Sequence, residues 1–393
     1  MIKSIAIKNF KSVVDLKLEL GQFNVLIGEN GCGKSNILEG IAFGAAADVN
    51  KLDREFFSTR GIRMTEPEFV YSAFDDIESK IVIHVEYTND NSSRFELVYN
   101  FNSKPAKWED ARKTEEMDEI HERIFNYLQK SKNKIEVSLG KRKSDIEIKV
   151  KGKSSKQEVV MMLNNIINDL NTDSQWLNGY LIYSLEESIL RRFDAENAIH
   201  PLGRNGEGIF AYLKELSQKE NGMTILEEIK ENLSVLDWFD TFEIPKEQLF
   251  GEFSLQIKDK YINDTLRLFD QRSTNEGFLY LLFYLTLFIS DDTPAFFAID
   301  NLEASFNPKL CREITKRLIL LAKKHNKQVI VTTHSPAILD GLDITDDKER
   351  LFVVRRDLDG HTKVNRITYK KPIDLPLSEA WVKGYLGGLP NNF

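Results

Sequence analysis

Apolar and polar residues alternate over much of the first hundred residues. Residues 2–8 and 13–20 follow a period of two on either side of a turn at residues 9–12, and residues 81–88 and 94–101 repeat the pattern. This period is typical of strands with one buried face. It predicts two antiparallel hairpins in the N-terminal part of the chain.

Continuous apolar runs predict fully buried strands at residues 23–27, 295–299 and 328–331. Helical patterns follow at residues 34–47, 276–290 and 308–325. Buried strands that alternate with helices are typical of a parallel sheet covered on both faces. We therefore expect an α/β fold with a mixed sheet whose N-terminal strands are antiparallel.

The middle of the chain differs in composition, since it is rich in charged residues and predicts helices and short strands. The α/β fold is therefore expected to be interrupted by an inserted α+β region. The predicted division is an N-terminal lobe at residues 1–102, the insertion at 103–250 and a C-terminal lobe at 251–393. We expect the insertion to serve dimerisation or the docking of a partner or DNA.

Composition limits the class of protein. The 393 residues include 61 acidic and 53 basic side chains, a formal charge of −8, which excludes a uniformly basic coat for nucleic acid. Cys32 and Cys311 are too far apart to suggest a disulfide framework or a C-x-x-C metal site. No apolar stretch approaches the roughly 20 residues of a bilayer-spanning helix, and the N-terminus lacks a signal-peptide pattern. A soluble, cytoplasmic protein is expected.

The charge is unevenly distributed. Residues Lys130–Lys156 contain ten Lys or Arg and three acidic residues, a local charge of +7, so the rest of the chain carries −15. Alternation at residues 135–139 and 146–150 predicts a β-hairpin with Lys141–Lys143 at its tip. Such lysines either protect a solvated edge strand or form a docking surface for DNA phosphates or an acidic partner. Both interpretations stay open.

A glycine-rich turn follows the strand at residues 23–27. Residues Gly28–Ser35 fit the pattern G-x-x-x-x-G-K-[ST] between a strand and a helix, which is a Walker A loop. Its backbone N–H groups are expected to cradle phosphates, Lys34 to reach the β- and γ-phosphates, and Ser35 to bind Mg²⁺. The predicted cofactors are ATP and Mg²⁺, with the nucleotide contacted by Asn30, Gly31, Cys32, Gly33, Lys34, Ser35 and Asn36.

Two further polar residues follow buried strands. Asp300 ends the run at residues 295–299 and is the second candidate Mg²⁺ ligand. His334 follows the run at 328–331, at the rim where open α/β sheets bind ligands. A single Asp or His at such a place is often structural, but the position of Asp300 on the strand next but one to the turn that bears His334 favours a functional interpretation.

Together these motifs resemble the ABC-type ATPase heads of the SMC, RecF and OLD (overcoming lysogenization defect) group, most closely the compact OLD-like ATPases of bacterial anti-phage systems. The resemblance covers about residues 1–100 and 250–393. Its motifs are the first strand and basic turn at 5–12, the Walker A loop at 28–35, the signature at 273–278, the Walker B and D-loop at 299–308, the switch histidine at 333–336 and a C-terminal segment from Trp381.

The resemblance implies an ATP-dependent homodimer, or a higher oligomer, in which two heads sandwich ATP. It implies that Lys11 contacts the nucleotide and that Asn275 and Gly277 of the signature cap the γ-phosphate bound by the opposite protomer. It also implies a sensor or scaffold subunit of a DNA-associated defence complex whose effector is a separate protein. The alternative is a RecF-like repair ATPase that acts directly on DNA.

Three departures from the group matter for catalysis. Asn275 replaces the usual serine of the signature, and no glutamine lies between Gln22 and Gln129 to supply a Q-loop. Asn301 replaces the glutamate that polarises the attacking water in this group. Either Glu303 takes over as the base or hydrolysis is slow, and we favour slow hydrolysis. The catalytic candidates are Asp300, Asn301, Glu303 and His334.

The middle region contains one further glycine-rich loop, at residues 201–208. It lacks a preceding buried strand and a Lys-Ser pair, so it predicts a turn into a helix at 209–217 and not a phosphate site. Arg191 or Arg204 would reach a phosphate across a dimer interface, or simply form salt bridges; the sequence leaves both open.

Overall fold

The computed structural model describes residues 1–63, 65–74, 80–112, 135–139, 146–150, 175–192, 199–245, 255–263, 269–368 and 375–389, with the backbone alone for 135–139 and 146–150.

The N-terminal strands form a five-stranded antiparallel sheet with the order β2-β1-β4-β5-β6. Ile5 of β1 lies opposite Leu18 of β2 and Val85 of β4, so the apolar residues of all three strands share one face. Both predicted hairpins are confirmed. The strands are β1 (Ile2–Phe10), β2 (Val13–Glu19), β4 (Ile81–Tyr87), β5 (Ser92–Asn100) and β6 (Lys107–Asp110).

A second, six-stranded sheet carries the Walker A strand in its centre, in the order β16-β15-β3-β14-β13-β9. The five strands from β15 to β9 are parallel, and β16 pairs antiparallel with β15 at the edge. The buried strands predicted at residues 23–27, 295–299 and 328–331 are thus neighbours. The strands are β3 (Phe23–Ile27), β9 (Ile182–Tyr183), β13 (Phe296–Ile299), β14 (Gln328–Thr332), β15 (Glu349–Arg356) and β16 (Thr362–Ile367).

Helices cover both faces of this sheet. The three helices predicted from periodicity are confirmed as α1 (Lys34–Asp48), α7 (Glu276–Ile289) and α8 (Pro308–Lys324). The loop at residues 201–208 leads into α5 (Ile209–Gln218), as expected. The others are α2 (Arg54–Arg60), α3 (Gln175–Asn178), α4 (Glu187–Leu190), α6 (Gly222–Leu233), α9 (Pro336–Leu339) and α10 (Leu377–Val382), with one 3₁₀ turn at Pro67–Phe69.

The middle of the chain contributes two smaller sheets. Strands β7 (Ile135–Leu139) and β8 (Ile146–Val150) pair antiparallel with Leu139 opposite Ile146, which confirms the predicted hairpin; its tip lies outside the described residues. Strands β10 (Phe239–Glu243), β11 (Gln256–Asp259) and β12 (Phe269–Asp270) form the other sheet. Helices α5 and α6 pack into the main core, so part of the region at 103–250 belongs to the body of the head.

The six-stranded sheet separates two apolar cores. Alternate residues of each strand point to opposite faces, so Val25 and Ile27 enter the core with α7 and α8, whereas Leu26 enters the core with α1 and the antiparallel sheet. Helix α7 is mostly apolar after Glu276 but has only 14 residues, and no helix in the described ranges is long and apolar enough to cross a bilayer.

Candidate nucleotide-binding site

The Walker A loop connects the fully buried strand β3 to α1 at the carboxyl edge of the parallel sheet. Gly31 and Gly33 have φ values of +78° and +109°, which a residue with a side chain rarely adopts. A Cβ on Gly33 would lie 2.1 Å from Oγ1 of Thr362, so β16 also requires a glycine there. The bare backbone therefore forms a cradle at the N-terminus of α1, the type of place where phosphates bind.

The Lys34 side chain is held inside this loop. Lys34 is 7% exposed, and its Nζ donates to the carbonyl oxygens of Gly28 at 2.8 Å and Glu29 at 3.1 Å. Burial lowers the pKa of Lys34, and the nearby Asp300 and Glu303 carboxylates oppose that shift. An ammonium group bonded to neutral carbonyls in this position is suited to phosphate oxygens, which would solvate its charge better.

Residues from five separate parts of the chain surround a cleft of about 410 Å³ over the loop. The cleft brings most of the predicted site residues together, including Asp300, Asn301 and His334. Its lining is Asn30, Gly31, Gly33, Lys34, Ser35, Asn36, Arg63, Asp300, Asn301, His334 and Arg356. The roles assigned to these residues remain predictions.

The Thr332 hydroxyl connects β14, which pairs with the Walker A strand, to the end of the next strand, β13. It donates to Oδ1 of Asp300 and accepts a 3.0 Å hydrogen bond from the backbone N–H of Asn301. The Asp300 N–H donates to the Tyr183 carbonyl at 2.8 Å, so β9 also fixes the backbone that carries this carboxylate. Asn301 is exposed with φ +57°, a conformation that asparagine tolerates better than most residues.

Glu303 is bonded to the turn that carries the switch histidine. Its Oε1 accepts a 2.7 Å hydrogen bond from the backbone N–H of His334, and its Oε2 is buried without a hydrogen-bond partner. Glu303 is not among the residues that line the cleft. Burial lowers the pKa of the His334 imidazole and Lys34 lowers it further, so both favour the neutral ring.

The signature residues lie at the N-terminus of α7. The Asn275 side chain caps this helix by accepting a 2.8 Å hydrogen bond from the Phe278 N–H, and Asn275 itself is exposed. A Cβ on Gly277 would lie 3.2 Å from the Ser305 carbonyl oxygen, so the helix start packs against the D-loop. Neither Asn275 nor Gly277 lines the cleft of its own chain.

Arg191 fixes the loop that precedes the signature. Its Nη1 donates to the carbonyl oxygens of Gln271, Arg272 and Thr274 at 3.1, 3.0 and 2.9 Å. The other nitrogens of the guanidinium donate to Glu187. The structure therefore gives Arg191 an intramolecular role, whereas Arg204 lies beside Gly61 with its Nε buried and without a hydrogen-bond partner.

Two residues expected to contact nucleotide face elsewhere. The Lys11 ammonium pairs with the buried carboxylate of Glu39, and Lys11 is not among the lining residues. The Cys32 side chain is 1% exposed and packs beneath the loop, where burial raises the pKa of its thiol. Its backbone still belongs to the cradle.

Arg63 and Arg356 line the cleft and were missed by sequence reasoning. Arg63 donates to Glu39 and to Oδ1 of Asn36, the latter at 3.1 Å. Arg356 ends β15 and donates through Nε to the Gly31 carbonyl at 3.0 Å. Neither belongs to a motif, so the sequence carried no signal for them.

The cleft fits a nucleoside triphosphate with Mg²⁺. The glycine cradle and Lys34 are suited to phosphates, and Ser35 and Asp300 would offer the hard oxygen ligands that Mg²⁺ prefers. In the described ranges no group of three or more His, Cys, Asp or Glu side chains could hold a metal ion. A Mg²⁺ ion here would take its remaining ligands from phosphates and water.

The C-terminal segment packs against the back of the same loop. A Cβ on Gly388 would lie 3.4 Å from the Gly28 Cα, and a second cleft of about 490 Å³ opens between Trp381, Leu389 and the residues Gly28–Asn30. His334 lines both clefts. The segment from Trp381 is thus in direct contact with the Walker A loop.

Comparisons with known proteins agree with this arrangement. A family model described as AAA ATPase domain matches residues 1–339. The uncharacterized protein MJECL10 of Methanocaldococcus jannaschii is 33% identical over 103 residues, 25% of this chain and 46% of the relative, so the matched part spans about half the length of that relative.

Two SMC heads are among the similar solved structures. An SMC head bound to the C-winged helix domain of ScpA has a TM-score of 0.55 at 15% identity and covers 95% of this chain and 99% of that chain. The SMC head domain from Thermotoga maritima has a TM-score of 0.45 at 14% identity, with 94% and 99% covered. The first likeness confirms the expected α/β head with its mixed sheet. Since the family model spans most of the chain, the protein belongs to the AAA ATPase domain family and is a P-loop ATPase with an SMC-like head fold.

Proposed function

We propose that ATP joins two copies of this ATPase into a dimer, which serves as the sensor or scaffold subunit of a DNA-associated anti-phage complex with a separate effector. The observation that carries the dimer is the position of Asn275 and Gly277. They stand at the start of α7, and Asn275 is exposed, yet neither residue lines the cleft of its own chain. A second copy would bring its signature to this cleft.

Slow hydrolysis is part of the proposal. The cleft presents Asn301 next to Asp300, and an amide cannot accept the proton of the attacking water as a carboxylate does. Glu303 does not line the cleft and already accepts a hydrogen bond from His334. Both observations favour ATP as a stabiliser of the dimer over ATP as a rapidly consumed fuel.

The partner and the defence role belong to the same proposal. The similar SMC head is a complex with a domain of ScpA, which is a precedent for a head that carries a partner. The segment Lys130–Lys156, with its charge of +7, is our proposed contact for DNA or an acidic partner within the insertion at 103–250. The anti-phage role rests on the resemblance to OLD-like ATPases, and a cytoplasmic location is proposed with it.

The dimer is tested by its mass with and without ATP and Mg²⁺, measured by light scattering after gel filtration. We expect the wild type to double in mass with ATP and Lys34→Ala to stay monomeric. Asn275→Asp keeps the cap on the Phe278 N–H but faces a phosphate with a negative charge, so it should also stay monomeric. Asn275→Ser restores the usual residue of the group and serves as the matched control that still dimerises.

Mixing the two defective variants makes the test specific. In a sandwich, each site uses the Walker A loop of one protomer and the signature of the other. Lys34→Ala and Asn275→Asp together therefore form one intact site and should recover part of the dimer. A wild type that stays monomeric with saturating ATP, or an Asn275→Asp variant that dimerises normally, would overturn the proposal. ATP-dependent binding of the isolated protein to DNA gaps would support the RecF-like alternative instead.

A further inference from the structure

Arg356 forms one wall of the nucleotide cleft and is held there by two backbone carbonyls. Its Nε donates to the Gly31 carbonyl at 3.0 Å and its Nη1 donates to the Gly360 carbonyl at 2.9 Å. These two bonds fix the guanidinium plane beside the Walker A loop. Arg356 is nevertheless exposed, and it lines the cleft.

Phe74 supports this guanidinium from behind. The Cζ of Arg356 lies 5.6 Å from the centroid of the Phe74 ring, a cation–π contact. His361 packs edge-on against the same ring, with centroids 5.6 Å apart. A Cβ on Gly360 would lie 2.8 Å from the ring, so the turn between β15 and β16 fits closely around Phe74.

The arrangement differs from that of an arginine that binds phosphate. Two of its nitrogens already donate to carbonyls, which leaves Nη2 and the face of the guanidinium for a ligand. A planar guanidinium backed by an aromatic ring is a surface on which nucleobases stack. The phosphates have a separate place in the glycine cradle and at Lys34.

We propose that Arg356, backed by Phe74, is the platform on which the base of the bound nucleotide stacks. The proposal rests on nucleotide binding in this cleft and is independent of the dimer. A platform of this kind contacts the flat face of a base and not its hydrogen-bonding edge. It therefore strengthens the binding of ATP and GTP alike, and contributes nothing to a ligand that has phosphates but no base.

The test compares ATP, GTP and inorganic tripolyphosphate as ligands of the full chain, with affinities from isothermal titration calorimetry. The variants are Phe74→Ala, which removes the backing ring, and Arg356→Lys, which keeps the charge but loses the plane. We expect each variant to reduce the affinity for ATP and for GTP by about 10-fold. The affinity for tripolyphosphate should stay unchanged, which also shows that the Walker A loop of the variant is intact.

Two outcomes would overturn the platform. An equal loss for ATP and tripolyphosphate would mean that Arg356 and Phe74 act on the phosphates or on the loop. Unchanged ATP affinity in both variants would place the base elsewhere. A matched control is Phe69→Ala, another exposed phenylalanine that does not line the cleft, and it should leave all three affinities unchanged. Failure of the wild type to bind tripolyphosphate would instead contradict the nucleotide site itself.

Discussion

The backbone N–H of His334 donates a 2.7 Å hydrogen bond to Oε1 of Glu303. This bond connects the switch histidine after β14 to the second carboxylate after β13. Any substitution of Glu303 therefore acts on His334 as well as on the chemistry near Asp300.

Glu303→Gln is predicted to retain ATP turnover close to that of the wild type. The amide oxygen of glutamine still accepts the His334 N–H, whereas Glu303→Ala removes this exposed hydrogen bond, at a cost of about 0.5–1.5 kcal/mol. Steady-state turnover of the two variants distinguishes the roles. Rapid ATP turnover by the wild type, together with no turnover by Glu303→Gln, would identify Glu303 as the general base and contradict slow hydrolysis.

Asn301→Glu is predicted to hydrolyse ATP faster and to populate the dimer less. The new carboxylate would accept the proton of the attacking water, an effect on the order of 10²-fold. Residue 301 has φ +57°, which costs a longer side chain about 1 kcal/mol. Asn301→Gln is the matched control, since it has the same strain but no base. Single-turnover rates that are equal for the two variants would refute the prediction.

Arg191→Ala is predicted to weaken ATP-driven dimerisation by roughly tenfold while ATP still binds. The loss follows because three charge-assisted bonds to the carbonyls of residues 271, 272 and 274 disappear, so the signature loop is no longer fixed. Analytical ultracentrifugation with ATP and Mg²⁺ measures the effect. The adjacent, exposed Arg192→Ala is the control and should dimerise normally. A normal dimer of Arg191→Ala would show that the loop needs no such support.

ATP binding is predicted to take up a proton at His334 in mildly acidic solution. The pKa of the free imidazole lies below its ordinary value of about 6.5, because burial and Lys34 disfavour the charged ring. A phosphate nearby favours the charged ring and raises that pKa. The bound state then holds more protons, so the affinity for ATP rises as the pH falls through this window.

Calorimetry in two buffers of different ionisation enthalpy measures that proton uptake. His334→Asn should remove it. His325→Gln, whose ring pairs with Glu228 outside the cleft, should keep it. Equal uptake in the wild type and His334→Asn would assign the proton to another group.

Substitution of Lys141, Arg142 and Lys143 at the hairpin tip by Gln is predicted to weaken DNA binding. The slope of the logarithm of affinity against the logarithm of salt concentration should fall by an amount equivalent to about three phosphate contacts. Fluorescence anisotropy across a salt series gives both quantities. The control carries the same charge change at the exposed Lys3, Lys309 and Lys348. If both triple variants lose affinity equally, the effect is one of net charge and the hairpin is not the contact.

Local patterns predicted most of the sheet and the Walker A loop, because the strand, the glycine turn and the helix are adjacent in sequence. Asp300 and His334 were found in the same way, as polar residues after buried strands. Arg63 and Arg356 were not found, since only tertiary packing brings them to the cleft. Strand β9 has two residues, too few for any periodicity, and its place is fixed by pairing with β13.

Lys11 makes a contact that the resemblance did not predict. The sequence places it in the basic turn of the group, and the structure pairs its ammonium with Glu39. Glu39 lies on the buried side of α1, where a lone carboxylate would be costly, so it recruits both Lys11 and Arg63. The sequence of the turn that carries Lys11 does not reveal that its ion-pair partner lies on α1.

The pairing of β3 has a consequence for biosynthesis. Val25 pairs with Val331 on one side and with Leu351 on the other, both more than 300 residues later in the chain. A nascent chain that has emerged with only its phosphate loop therefore lacks both neighbours of the strand that supports the loop. Such high contact order predicts slow folding, with nucleotide-binding competence acquired only late in translation.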